Sequence, residues 1–147
     1  MPSPSLLDVL DAAGMRVTRP RRQVAELIGT RSAPFTAAEL LEHVDRRGLR
    51  IGRATIFRAL EVFARLGVIE RLDLPDGEHA YVVCRPETTT HHHHIVCATC
   101  GRSTAIVGCN IAGLAADVAD RTGYRVDTHR IELFGTCPTC QAQTVTQ

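Results

Sequence analysis

The sequence predicts an α+β fold in two parts. A front of short helices is closed by a β-hairpin, and a smaller back mixes strands with one helix. Three observations predict it. Helix caps and apolar residues at helical spacing recur up to Leu66. Residues 68–84 then read as two strands around Pro75-Asp76-Gly77. Beyond residue 90, two Cys-x-x-Cys pairs bracket strand-like and helix-like segments. The expected boundaries are 1–84 for the front, 85–90 for a linker and 91–147 for the back.

In chain order, Ser5 to Ala13 is amphipathic and stops at Gly14. Thr18 is placed to N-cap a second helix with Pro20 in its first turn and Val24, Leu27 and Ile28 facing inward. Thr36-Ala37-Ala38-Glu39 is a capping box ahead of Leu40, Leu41 and Val44. A fourth, basic helix runs from about Arg53 to Leu66, with Ile56, Leu60 and Phe63 as its buried stripe, and ends at Gly67. Short helices before a longer basic one suggest helix-turn-helix packing, and the hairpin after it is a wing. Arg85-Pro86-Glu87-Thr88-Thr89-Thr90 holds only turn and polar residues, hence the linker. The back then reads as a strand from His91 to Val96, a strand from Ser103 to Val107, and a helix capped by Asn110. That helix carries Ile111, Leu114, Ala115 and Val118 to Gly123. A strand from about Tyr124 to Phe134 and a loose tail over Gln141–Gln147 complete the chain.

Hydrophobic residues at 44% suffice for a globular core, and with no Trp and few aromatics that core is expected to be aliphatic. No apolar run approaches a membrane span. The first five residues show no basic start or apolar signal region, so a cytoplasmic protein without membrane partners is expected. The net charge of +1 hides an asymmetry. Residues 1–70 hold 11 arginines against 8 acidic side chains, and residues 71–147 hold 6 against 8. The front is therefore the better nucleic-acid candidate. Lysine is absent. Genomic bias accounts for that, yet every fixed cation is then a guanidinium suited to phosphates and guanine edges.

Cys97, Cys100, Cys137 and Cys140 have the spacing of two zinc knuckles. Four thiolates leave no open coordination position, so the zinc would be structural. The 36 residues between the pairs would form a strand, a helix and a strand that the metal pins shut. The competing reading is two redox pairs or incidental buried thiols. The run His91-His92-His93-His94 adds ligands that this site does not need. On a strand, His91 and His93 share one face, and His92 and His94 the other. His92 and His94 could meet Glu70 and Cys84 from the two ends of the hairpin, a donor set that suits zinc. His129 is the natural partner of His91 and His93. A solvated polar strand is the bland alternative.

Arg53, Thr55, Phe57 and Arg58 lie near the start of the basic helix, and Arg16, Arg19, Arg21 and Arg22 at the turn into the second. Helix-start residues can read base edges while flanking arginines hold phosphates. An ordinary solvated helix face is the alternative, and the hairpin that follows favours DNA. A zinc hydrolase or deaminase needs an open metal site and a general base. The sequence has no His-x-Glu with Pro-Cys-x-x-Cys arrangement, so no enzyme and no small-molecule substrate are expected.

Together these residues resemble the Fur family of metal-dependent bacterial repressors, from about Gly14 to Cys140. Gly14 to Arg22 looks like its opening motif. Ala54-Thr55-Ile56-Phe57-Arg58-Ala59-Leu60 looks like its recognition helix, with Phe57 where Tyr is usual. His91 to Cys100 and Phe134 to Cys137 are similar to its two knuckle regions. The resemblance implies an N-terminal winged helix, a C-terminal α/β dimerisation domain, and a homodimer on palindromic operator DNA. Its zinc-uptake branch fits best. There Glu70, Cys84, His92 and His94 match a regulatory hinge site, and Cys84 stands where iron regulators carry a carboxylate. An Fe2+- or peroxide-responsive regulator is the alternative. The site of His91, His93 and His129 usually takes a Glu. The matching position here is Ala112; Cys109, three residues earlier, is the candidate substitute. The alternatives are a site of three protein ligands and a Cys109 that is simply a buried apolar side chain.

Overall fold

The computed structural model describes residues 5–84 and 91–144. The chain divides into two units between Glu87 and Thr88. The linker expected over 85–90 lies outside the described residues.

The first unit runs α1 (Leu6–Ala12), α2 (Arg19–Gly29), α3 (Ala37–Arg46), α4 (Arg53–Arg65), β1 (Ile69–Asp73) and β2 (His79–Val83). Local chemistry starts the first three helices. Thr36 Oγ1 accepts from Glu39 N at 3.1 Å while the Glu39 carboxylate accepts from Thr36 N at 2.8 Å. Thr18 caps α2 through Arg21 N. Ser5 and Asp8 form a second capping box, written in the sequence as Ser-x-x-Asp. α4 starts at Gly52 with no side-chain cap. The apolar stripes meet in one core that includes Leu10, Ile28, Leu40, Val44, Ile56 and Leu60. The core is not purely aliphatic, because Phe35 and Phe63 are fully buried within it.

β1 and β2 pair antiparallel, Ile69 opposite Val83 through Asp73 opposite His79. At the tip Gly77 takes φ +85°, a left-handed conformation that a side chain would strain. Asp76 accepts from Glu78 N. The wing gains a third partner that the sequence reading lacked. Phe35 and Tyr81 exchange backbone hydrogen bonds of 2.9 and 2.7 Å, tying the segment before α3 to β2.

The second unit runs β3 (His92–Cys97), β4 (Ser103–Val107), α5 (Ala112–Thr122), β5 (Glu132–Gly135) and α6 (Pro138–Thr144). β3 is central, antiparallel to β4 and parallel to β5. Three expectations need correction. Asn110 does not cap α5: Ile111 occupies the N-cap position and no side chain bonds there. None of the α5 residues is buried in the single chain. The last strand is short, because residues 124–131 make no ladder and pairing begins at Glu132. The expected loose tail is helical through Thr144, since Pro138 at the first helical position continues the second knuckle into α6. Its last three residues lie outside the described residues.

No helix among the described residues is long and apolar enough to cross a membrane.

Candidate metal centres and nucleic-acid face

The first centre is built where β3 and β5 end side by side. Cys97 closes β3, and the chain turns back through Gly101, at φ +72°, so that Cys97 N donates to Arg102 O at 2.8 Å. Ala98 N donates to Gly135 O at 2.8 Å, fastening this knuckle to the end of β5. The second knuckle follows, with Cys137 before α6 and Cys140 within it. The four sulfurs lie within 4.8 Å of one another. Two sulfurs bound tetrahedrally at about 2.3 Å from one zinc stand about 3.8 Å apart. Cys100 Sγ and Cys137 Sγ lie 3.7 Å apart, close to that value and far beyond a disulfide bond. The residues present therefore fit zinc.

The electrostatics agree. The Cys137 and Cys100 backbone amides hold the Cys97 thiol low, at about 5, and Cys137 N donates to its sulfur at 3.3 Å. The Cys140 amide lowers Cys137 in the same way. Cys140 is pushed up to about 12, Cys137 being the largest cause, because adjacent sulfurs cannot all carry charge without a cation. Two further residues brace the knuckles: Arg102 Nη1 donates to Thr139 Oγ1 at 3.4 Å. Apart from their adjacency to the knuckles, the sequence carried no sign of that pair.

The histidine run divides as strand geometry requires. The His91 and His93 rings lie 4.6 Å apart, and those of His92 and His94 4.9 Å apart, each pair edge to face. His129, from the segment between α5 and β5, joins the first pair. Its Nε2 is 2.6 Å from His91 Nε2, and His91 Nε2 is 3.1 Å from His93 Nε2. Cys109 Sγ stands 3.1 Å from His129 Nε2. These four side chains form one cluster within the second unit. Burial, followed by the charges of His91 and His93, holds His129 below the usual imidazole range, which favours the neutral ligating form.

The other pair, His92 and His94, stays in the second unit, whereas Glu70 and Cys84 belong to the first. Glu70 lies on β1 opposite Val82. Cys84 follows β2, and its amide donates to Val68 O at 2.9 Å. Burial pushes the Cys84 thiol up to about 12, and the Glu70 carboxylate adds to it.

On the first unit, Arg53, Thr55, Phe57 and Arg58 occupy the first turns of α4, with Arg53 and Arg58 exposed. The Arg53 guanidinium lies over the Phe57 ring at 5.4 Å, so these two present one surface. Arg16, Arg19 and Arg22 are exposed around the start of α2. Arg21 differs: its guanidinium donates to Arg16 O at 2.6 Å and so braces the turn.

Comparison with known proteins identifies the family. The Ferric uptake regulator family matches residues 12–134. The Zinc uptake regulation protein of Mycobacterium tuberculosis is 36% identical over 133 residues, covering 90% of this chain and 100% of that protein. The Ferric uptake regulation protein of Neisseria meningitidis is 34% identical over 135 residues, covering 91% and 92%. Among solved structures, the Vibrio cholerae ferric uptake regulator, described with DNA-binding domains, aligns with a TM-score of 0.58 at 28% identity. That alignment covers 87% of this chain and 96% of that one.

Proposed function

Because the chain belongs to the ferric uptake regulator family, we propose that it is a zinc-responsive repressor of transcription. It binds palindromic operator DNA as a homodimer and controls genes of metal uptake. It is a cytoplasmic regulator and not an enzyme, with no small-molecule substrate. The observation that carries this reading is the division of one histidine run between the two faces of β3. That division leaves His92 and His94 as a ligand pair beyond what the four-cysteine centre needs.

Identities of 36% and 34% are too close to choose between zinc and iron. The donor set supports zinc. The thiolate of Cys84 with two imidazoles and one carboxylate is softer than the oxygen-rich sites that iron(II) and manganese accept. When bound, zinc supplies a four-coordinate cross-link without redox chemistry. Cys97, Cys100, Cys137 and Cys140 would hold the structural ion and leave no position for water or substrate. Glu70 and Cys84 of the wing, with His92 and His94, would hold the regulatory ion. Such an ion would tie the wing to the second unit. Arg58 and Thr55 would read base edges, Arg53 and Phe57 would flank them, and Arg16, Arg19 and Arg22 would hold phosphates. Metal and DNA then favour the same arrangement, so each tightens the binding of the other.

Cys84→Ala and His92→Ala test this reading. Each variant should remain a folded dimer with its structural zinc and lose metal-dependent operator binding. Glu70→Ala should be milder, since three ligands remain. Normal metal-dependent binding by both Cys84→Ala and His92→Ala would place the sensing site elsewhere.

A further inference from the structure

We propose that Cys109 supplies a thiolate to an exchangeable metal site with His91, His93 and His129. The site takes zinc in preference to manganese or iron(II) and fastens both ends of the α5 excursion to the central strand. It lies wholly within the second unit and does not rest on the hinge reading.

Geometry carries the assignment. Three Nε2 atoms and one sulfur converge: His91 to His93 at 3.1 Å, His91 to His129 at 2.6 Å, and Cys109 Sγ to His129 at 3.1 Å. Ligands about 2.0–2.3 Å from one zinc stand about 3.3–3.6 Å apart, so a small outward adjustment accommodates the ion. Three imidazoles and a thiolate include no oxygen donor, and that composition disfavours manganese and iron(II). His93 is buried while His91 is exposed, so the cluster has a floor and an open side through which a cation can exchange.

Placement gives the site its consequence. Cys109 stands just before α5, His129 lies between α5 and β5, His91 immediately precedes β3 and His93 lies in its first residues. No residue of α5 is buried, and residues 124–131 make no ladder. Packing within the single chain therefore does little to fix this excursion. The four-cysteine centre sits at the Cys97 end of β3, and the second site at the His91 end. One metal thus secures each end of the central strand.

Cobalt(II) added to the full chain, as purified with zinc in the four-cysteine centre, tests the proposal. Cys84→Ala removes the other cysteine outside the four-cysteine centre and serves as the background. In it, one cobalt should bind with a thiolate-to-cobalt charge-transfer band. Cys84→Ala/Cys109→Ser should lose the band and retain its structural zinc. Its zinc affinity at this site should fall by at least about 10–100-fold, the loss that even outer partners of a metal ligand cause. Cys109→Asp in the same background should keep a metal, lose the band and shift preference toward manganese. Hydrogen exchange around residues 108–111 and 124–131 should slow on loading. An unchanged band and affinity in the Cys109→Ser arm would overturn the assignment, as would the absence of any cobalt site in the Cys84→Ala background. Neither outcome touches the hinge reading, whose ligand Cys84 is deleted in both arms.

Discussion

The two units use opposite means to stay folded. The first closes Leu10, Val24, Ile28, Phe35, Leu40 and Phe63 into one apolar core and exposes its arginines. Among the described residues of the second, the buried ones are His93, His94, Val96, Cys97 and Cys140. Four of those five carry ligand chemistry. Meanwhile Val107, Leu114, Tyr124, Leu133 and Phe134 stay exposed in the single chain. The second unit, Thr88–Gln147, is of the size at which a chain buries only about 60% of its unfolded surface. Its few buried residues are mostly candidate metal ligands, and its apolar area stays exposed in the single chain, as a face that a partner copy of the chain would cover on the proposed function. A regulator benefits from this division. On the proposed function the DNA-reading unit would fold on its own contacts, and the unit whose integrity would depend on metal would supply the control.

The contrast is broken most severely by removing metal. Structural zinc supplies on the order of 10 kcal/mol of folding free energy. Cys97→Ser should therefore unfold the second unit, with hydrogen exchange showing lost protection there and retained protection in α1–α4. A well-folded, metal-regulated Cys97→Ser dimer would contradict the contrast. Next in size is the apolar core. Phe63→Ala should cost about 3–5 kcal/mol in denaturant unfolding of the first unit. Zinc content of the second unit should stay unchanged, and joint loss of both would show one cooperative body. Smaller still is recognition. Arg58→Ala should cost about 1–3 kcal/mol on operator DNA and spare random DNA. Arg19→Ala should instead weaken both and reduce the salt slope by about one. Equal losses on specific and random DNA would make Arg58 a phosphate contact. The smallest effect separates the helix starts. Thr36→Ala should cost about 1 kcal/mol, whereas Asn110→Ala should stay within about 0.5 kcal/mol because Asn110 caps nothing.

What was legible in the sequence follows the same division. Thr18, Thr36 and Glu39 were readable because a cap is decided within one turn. The split of the histidine run was readable because strand alternation is local too. The region around α5 was not. Gly108, at φ +86°, turns the chain, and Cys109 is drawn to His129, twenty residues away. Asn110 makes no cap bond at the start of α5, and the approach of Cys109 to His129 joins segments that no local pattern connects. Tyr124 and Val126 alternate like strand residues, but their side chains are exposed and the segment pairs with nothing described. The pattern there reports a surface, not a ladder. Phe35 was missed for a related reason, since its partner Tyr81 lies far along the chain.

On the proposed function zinc, acting through this chain's own ligands, switches DNA binding on. The most direct test is fluorescence anisotropy with duplexes selected from random DNA by the zinc-loaded protein. The protein should carry only its four-cysteine zinc at the start, and free zinc or iron(II) should be raised under buffered conditions. Tight operator binding is expected as zinc rises, with reversal by a chelator mild enough to spare the four-cysteine centre and little response to iron(II). Binding driven by iron(II) and not by zinc would contradict it, as would binding indifferent to both.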